Sequence, residues 1–178
     1  TILPDKAWTK IFNKFKRTKI NVSIDAFGDD NNYVRYPADW NKILTTIEYL
    51  KANKIKFIIN TVVSNLNIMI LDRLFNWIQK NNYPNYFYIL YTPHIYRPNN
   101  LPKDLLDIAK KRLQNIKMQF VNEDCNRQLS DLIDLCDNPD KEGDWDNFCK
   151  EIEMRDRYRK NSITSIMPQI KEYMNAKV

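Results

Sequence analysis

Three strand-like stretches begin near Ile20, Ile55 and Tyr86, at intervals of 35 and 31 residues, and a segment with helical apolar spacing follows each. Parallel strands need a crossover of a dozen or more residues, usually a helix, and these intervals supply it. The chain is thereby restricted to an α/β fold whose sheet is parallel, with its ligand-binding end at the strands' carboxyl termini.

The individual segments agree with that rhythm. Ala7, Trp8, Ile11, Phe12 and Phe15 recur at helical spacing over Asp5 to Phe15, behind Pro4. Ile20 to Asp25 alternates apolar and polar, then gives way at Ala26 to Asn32 to a run of turn formers. A helix is expected from about Ala38 to Asn53, with Trp40, Ile43, Leu44, Ile47 and Leu50 on one face. Ile55 to Val63 is nearly all apolar, the pattern of a strand covered on both faces. After the turn Ser64 to Asn67 come a helix over about Ile68 to Asn81, a strand from Tyr86 to Tyr91 and a helix from about Lys103 to Ile116. From Asn122 to Val178 the pattern is helical and polar, an appendage packed on the sheet region.

Composition narrows the functional classes. With 43% hydrophobic and 28% charged residues in 178, the chain can bury one core, and disorder is excluded as its general state. Its longest apolar runs are far shorter than the ~20 residues that span a bilayer, so no membrane partner is expected. Cys125, Cys136 and Cys149 are odd in number and widely spaced, which suits buried reduced thiols and a cytoplasmic setting rather than disulfides or a compact metal site. The net charge of +6 points toward a polyanion, but basic residues such as Lys10, Lys14, Lys51, Lys54, Lys110 and Lys111 fall on helix surfaces among apolar positions. That distribution fits solvated helix faces and disfavours a nucleic-acid groove.

Ligands of parallel α/β proteins bind beyond the carboxyl ends of the strands, which selects three clusters. They are Ser23 and Asp25 with the Gly28 loop; Thr61, Ser64, Asn65 and Asn67; and Tyr91, Thr92 and His94. Asp25 is placed either to accept hydrogen bonds from a ribose or cation, or to begin an Asx turn. Arg35, between Tyr33, Tyr36 and Pro37, either clamps a carboxylate or pairs with Asp29, Asp30 or Asp39. His94 is the only histidine, and no Gly-rich phosphate loop, Walker motif or H-E-x-x-H is present.

Taken together, Asn21-Val22-Ser23-Ile24-Asp25-Ala26, Tyr33-Val34-Arg35-Tyr36-Pro37, Ile59 to Asn67 and Tyr88-Ile89-Leu90-Tyr91 resemble the fourth to sixth barrel strands of the radical SAM superfamily. The tail segments Asp156-Arg157-Tyr158-Arg159 and Met167-Pro168-Gln169-Ile170 are similar to the closing helices of members with a shortened extension, the twitch domain. The resemblance covers most of the chain. It implies three parallel βα units of a partial (β/α)6 TIM-like barrel, with residues 1–121 as the later half of the barrel and 122–178 as a helical twitch-like extension. By the same resemblance, Ser23 and Asp25 hold the ribose of S-adenosylmethionine, Arg35 meets its carboxylate, Val63 and Tyr91 flank adenine, and Asn67 shapes the fifth-strand turn. The family's chemistry is reductive cleavage of S-adenosylmethionine to a 5′-deoxyadenosyl radical, which abstracts hydrogen from substrate, here a peptide or protein.

The family's C-x-x-x-C-x-x-C loop, which holds three irons of a [4Fe-4S] cluster, is absent, as is its second-strand glycine motif. Both precede the equivalent of Thr1. The expectation is a chain truncated on its N-terminal side, partnered by the missing half of the same protein. Its parent would use S-adenosylmethionine and the cluster, while the chain alone would hold neither and be inactive. Two other classes are retained: a non-catalytic α/β binding module, and a basic nucleic-acid-binding protein with Tyr86, Phe87 and Tyr88 as stacking aromatics.

Overall fold

The structure, a computed structural model, describes residues 6–175 apart from 13, 16, 117–122 and 141–142. Its elements in chain order are α1 (Lys6–Phe12), β1 (Lys19–Ser23), α2 (Asp29–Val34), α3 (Trp40–Ala52), β2 (Lys56–Val63), α4 (Leu71–Lys80), β3 (Asn85–Ile89), α5 (Lys103–Gln114), α6 (Glu123–Leu135), α7 (Trp145–Arg159), α8 (Ile163–Ile166) and α9 (Ile170–Asn175). Single 3-10 turns lie at Ile68–Ile70 and His94–Tyr96.

The three strands form one parallel sheet in the order β1-β2-β3, as their spacing predicts. Ile20 lies opposite Phe57 and Val22 opposite Ile59, while Thr61 lies opposite Phe87. Val22, Ile24, Ile59, Val63 and Phe87 point to one face and join Ile43, Ile47 and Leu50 of α3, Leu74, Phe75 and Ile78 of α4, and Leu105, Ala109 and Leu113 of α5 in a single core. Phe75 and Phe87 meet with ring centres 5.3 Å apart. Asp39 begins α3 by accepting the amides of Asn41 and Lys42 at 3.0 and 3.2 Å, which satisfies two of the N–H groups a helix start leaves unpaired.

Two sequence expectations are corrected. β2 is not covered on both faces: its burial alternates, with Val62 36% exposed between the buried Thr61 and Val63. The helices that follow the strands pack on one face only, so Asn21, Ser23, Val62 and Tyr88 look outward. Ile58 is the exception on that outward face, buried beside the long Lys19 side chain, whose Nζ reaches 5.5 Å from the Tyr86 ring centre. Its apolar character hid the alternation in the sequence.

The turn formers of 26–32, read as a loop, also contain the start of α2. Gly28 precedes it at φ 66, a left-handed conformation that a side chain would strain, and Asp29 and Asp30 put negative charge on its first turn. Element ends differ more modestly. β1 stops at Ser23 rather than Asp25, β3 spans Asn85–Ile89, and α4 starts at Leu71 after the 3-10 turn.

The C-terminal helices pack on the same layer and share its core. α6 lies along β3, where the Cys125 thiol donates to the carbonyl of Asn85 at 3.3 Å. α7 seats Phe148 against Trp145 and Tyr96, with ring centres 5.2 and 6.2 Å apart. α8 reaches α2. Cys125, Leu132, Phe148, Ile152 and Ile163 belong to the same core as the strands, so packing is continuous across the 121/122 junction, which itself lies outside the described residues. The Asp5 start expected for the first helix lies outside them too. Among the described residues, no helix is long and apolar enough to cross a membrane.

Candidate binding site at the carboxyl ends of the strands

Asn67 ties the ends of β1 and β2 together. It is fully buried in the turn after β2, and its Nδ2 donates to the carbonyls of Asp25 at 2.7 Å and Val62 at 2.8 Å. Its Oδ1 accepts the amide of Ser64 at 2.8 Å, so one side chain satisfies three backbone groups that the two strands can no longer pair with each other. Asn31 plays a matching part from α2: its Oδ1 accepts the amides of Asp25 and Ala26 at 2.9 and 3.2 Å. Thr61 adds a third tie by donating to the carbonyl of Ile24 at 2.7 Å.

These ties fix the carboxylate of Asp25 at the rim. Its Oδ1 accepts the Val62 amide at 2.8 Å and its Oδ2 accepts Arg35 at 2.7 Å, with the Asp25 side chain 9% exposed and that of Arg35 37%. In the structure these two residues meet each other, a pairing that neither reading of them named. Arg35 pairs with Asp25 rather than with Asp29, Asp30 or Asp39, and Asp30 pairs instead with Arg73 at 2.8 Å. The Arg35 guanidinium makes no other hydrogen bond among the described residues, so its remaining N–H groups keep their capacity for a planar anion.

The other expected site residues divide by accessibility. Ser23 is exposed and lines a cleft of about 510 Å³ beside the outer edge of β1, together with Trp8, Phe12, Ile20, Arg35 and Ile43. That volume lies within the usual range for small-molecule sites, roughly 300–1,000 Å³. Tyr91 is 63% exposed beyond β3, and Thr92 and His94 are exposed beside it. Val63 is wholly buried in the core, with its carbonyl taken by the Leu90 amide. His94 lies 3.0 Å from Arg97, whose guanidinium also pairs with Asp140 and donates to the Tyr91 carbonyl. Sequence reasoning missed Asn31 and the tail residues Arg155, Asp156 and Arg159 as members of this rim. Asn31 reads as a turn former, and the tail residues meet partners 59 to 126 positions earlier in the chain.

The three cysteines lie apart. Cys125 faces Asn85, Cys136, just past the end of α6, donates back to the Leu132 carbonyl, and Cys149 is half-buried on α7. Among the described residues no three His, Cys, Asp or Glu side chains are grouped to hold a metal. Burial, with the charge of Asp137, pushes the Cys136 thiol up to about 11, and burial, with Glu153, does the same for Cys149. The thiolate is the reactive form, so iodoacetamide at pH 8 is expected to modify these thiols roughly a hundredfold more slowly than unperturbed cysteine. Mass spectrometry of a labelling time course checks this, and alkylation of the folded chain at the rate of the urea-unfolded chain would contradict it.

The fold and this rim define a class: a parallel α/β protein with a carboxylate, a guanidinium and a small-molecule-sized cleft at the carboxyl ends of its strands. No family model, curated protein or solved structure matches the chain.

Proposed function

We propose that this chain is the later portion of a radical S-adenosylmethionine enzyme, a partial (β/α)6 barrel whose rim holds that cofactor while a peptide or protein substrate is modified. The carrying observation is the Asp25–Arg35 pair, fixed by Asn67 and Asn31 at the carboxyl ends of two adjacent parallel strands. The reading is further supported by the strand order, which follows the sequence, and by the cleft beside β1.

The residues present fit the cofactor in part. Arg35 retains N–H groups for its carboxylate, and each Asp25 oxygen, having accepted one hydrogen bond, keeps a lone pair for a ribose hydroxyl. The hydroxyl of Ser23 is accessible on the cleft wall, and the exposed Tyr91 ring offers a face for adenine. Val63 and Asn67 act as scaffold in this arrangement, one in the core and one as the strand tie. When bound, S-adenosylmethionine supplies a sulfonium carbon–sulfur bond for one-electron cleavage. The [4Fe-4S] cluster does not fit the described residues of this chain, and on this reading another segment or subunit holds it.

The coding sequence ahead of Thr1 tests the proposal. A C-x-x-x-C-x-x-C motif is expected about 80 to 100 codons upstream, the length of roughly three βα units. A complete reading frame without it overturns the assignment and favours a non-catalytic binding module.

A further inference from the structure

α7 crosses the rim from the loop after β3 to the loop after β1. At one end, Tyr96 donates its hydroxyl to Glu151 at 3.0 Å and accepts Arg155 at 3.2 Å, whose guanidinium lies 5.6 Å from the Tyr96 ring centre. At the other, Arg159 sits 4.6 Å from the ring centre of Tyr36 and donates to the Tyr33 carbonyl at 3.4 Å. Glu151, Arg155 and Arg159 are spaced four residues apart, so they share one face of α7, the face that meets Tyr96, Tyr33 and Tyr36.

The two arginines have an unusual charge environment. They are half-buried, one helical turn apart, and neither forms an ion pair among the described residues. The neighbouring acids are engaged elsewhere. Asp156 accepts the Tyr33 hydroxyl at 2.7 Å and the Ile163 amide at 2.8 Å, and Glu151 accepts Tyr96. Burial pushes the Tyr33 phenol up and Asp156 adds to this, while the charges of Arg155 and Arg159 act in the opposite direction. Like charges one turn apart repel, and a structural brace between α7 and the tyrosines needs no charge at all. Held against aromatic rings, the two planar cations are already ordered for a planar or tetrahedral oxyanion.

We propose that Arg155 and Arg159 form a binding site for an oxyanion, a carboxylate or phosphate group, on a molecule held at the carboxyl rim. The inference goes beyond the S-adenosylmethionine reading and does not rest on it, because the probes are inorganic phosphate and N-acetylglycine. Titration of the 178-residue chain at fixed ionic strength is expected to shift the Nε–H signals of Arg155 and Arg159 saturably. Arg155→Gln combined with Arg159→Gln should weaken the apparent affinity at least about tenfold, the scale of one charge-assisted hydrogen bond. Arg157→Gln, at an exposed position off the shared face, should leave it unchanged. Tighter phosphate assigns a phosphate group, and tighter N-acetylglycine assigns a carboxylate. A response that follows ionic strength alone, or an equal loss in Arg157→Gln, overturns the proposal. Should the double variant fail to fold, the titration of the unaltered chain decides: non-saturating shifts at the two arginines refute the site.

Discussion

Asn67→Ala is expected to lower the stability of the chain by about 3 to 5 kcal/mol, among the largest effects of any single substitution at the rim. The side chain is fully buried and serves the carbonyls of Asp25 and Val62 and the amide of Ser64. Alanine leaves all three without a partner and opens a gap too enclosed for water to satisfy each of them. Losses of this kind cost about 1 to 3 kcal/mol per group and do not add fully, which sets the range. Urea unfolding followed by circular dichroism measures it as a lower midpoint at unchanged slope. Asn67→Asp should be nearly as severe, because it keeps the acceptor but replaces a donor to two carbonyls with a negative oxygen. A loss below about 1 kcal/mol in Asn67→Ala would show that the two strand ends are held by other contacts.

On the proposed reading, Arg35→Ala should weaken S-adenosylmethionine binding by roughly 10- to 150-fold in a longer, cluster-reconstituted parent, the range spanned by a charged hydrogen bond of about 1.5 to 3 kcal/mol. The 178-residue chain itself should give no calorimetric signal with S-adenosylmethionine. On that reading the cluster iron would anchor the methionyl amine and carboxylate, and one guanidinium without it does not offset the ordering of a flexible ligand. Arg35→Lys separates charge from geometry: an ammonium can still pair with Asp25 but cannot present parallel N–H groups to a second carboxylate. Its affinity should fall between those of Arg35 and Ala. Micromolar binding by the 178-residue chain would mean that the pocket is already complete, and undiminished binding by the parent's Arg35→Ala variant would remove Arg35 from the site.

The parts of this architecture that depend on local periodicity were legible in the sequence. The 35- and 31-residue intervals announced the parallel order, and the rule that ligands gather at carboxyl ends singled out Ser23 and Asp25 with the Gly28 loop, the turn from Thr61 to Asn67, and Tyr91, Thr92 and His94 before any distance was known. Contacts between distant segments were not legible. Nothing in the local pattern around Tyr33 indicates that its hydroxyl will meet Asp156, 123 residues later. Asparagine misleads for another reason. Its side chain both makes local turns and spans strands, so Asn31 and Asn67 look alike in sequence to the exposed Asn81 and Asn82, yet they are wholly buried. The covering of β2 was misjudged because Ile58, apolar on the outward face, completes an unbroken hydrophobic run.

The one-sided packing of the helices divides labour along every strand. Because side chains alternate with a period of two, Val22, Ile59, Thr61 and Phe87 face the helices, while Asn21, Ser23, Val62 and Tyr88 take the opposite side of the same backbone. A change in the second set disturbs little of the buried apolar surface on which stability depends. The outward face can therefore be rewritten residue by residue while the first set continues to specify the fold. A sheet built this way can exchange one ligand for another in small steps, each passing through a folded protein.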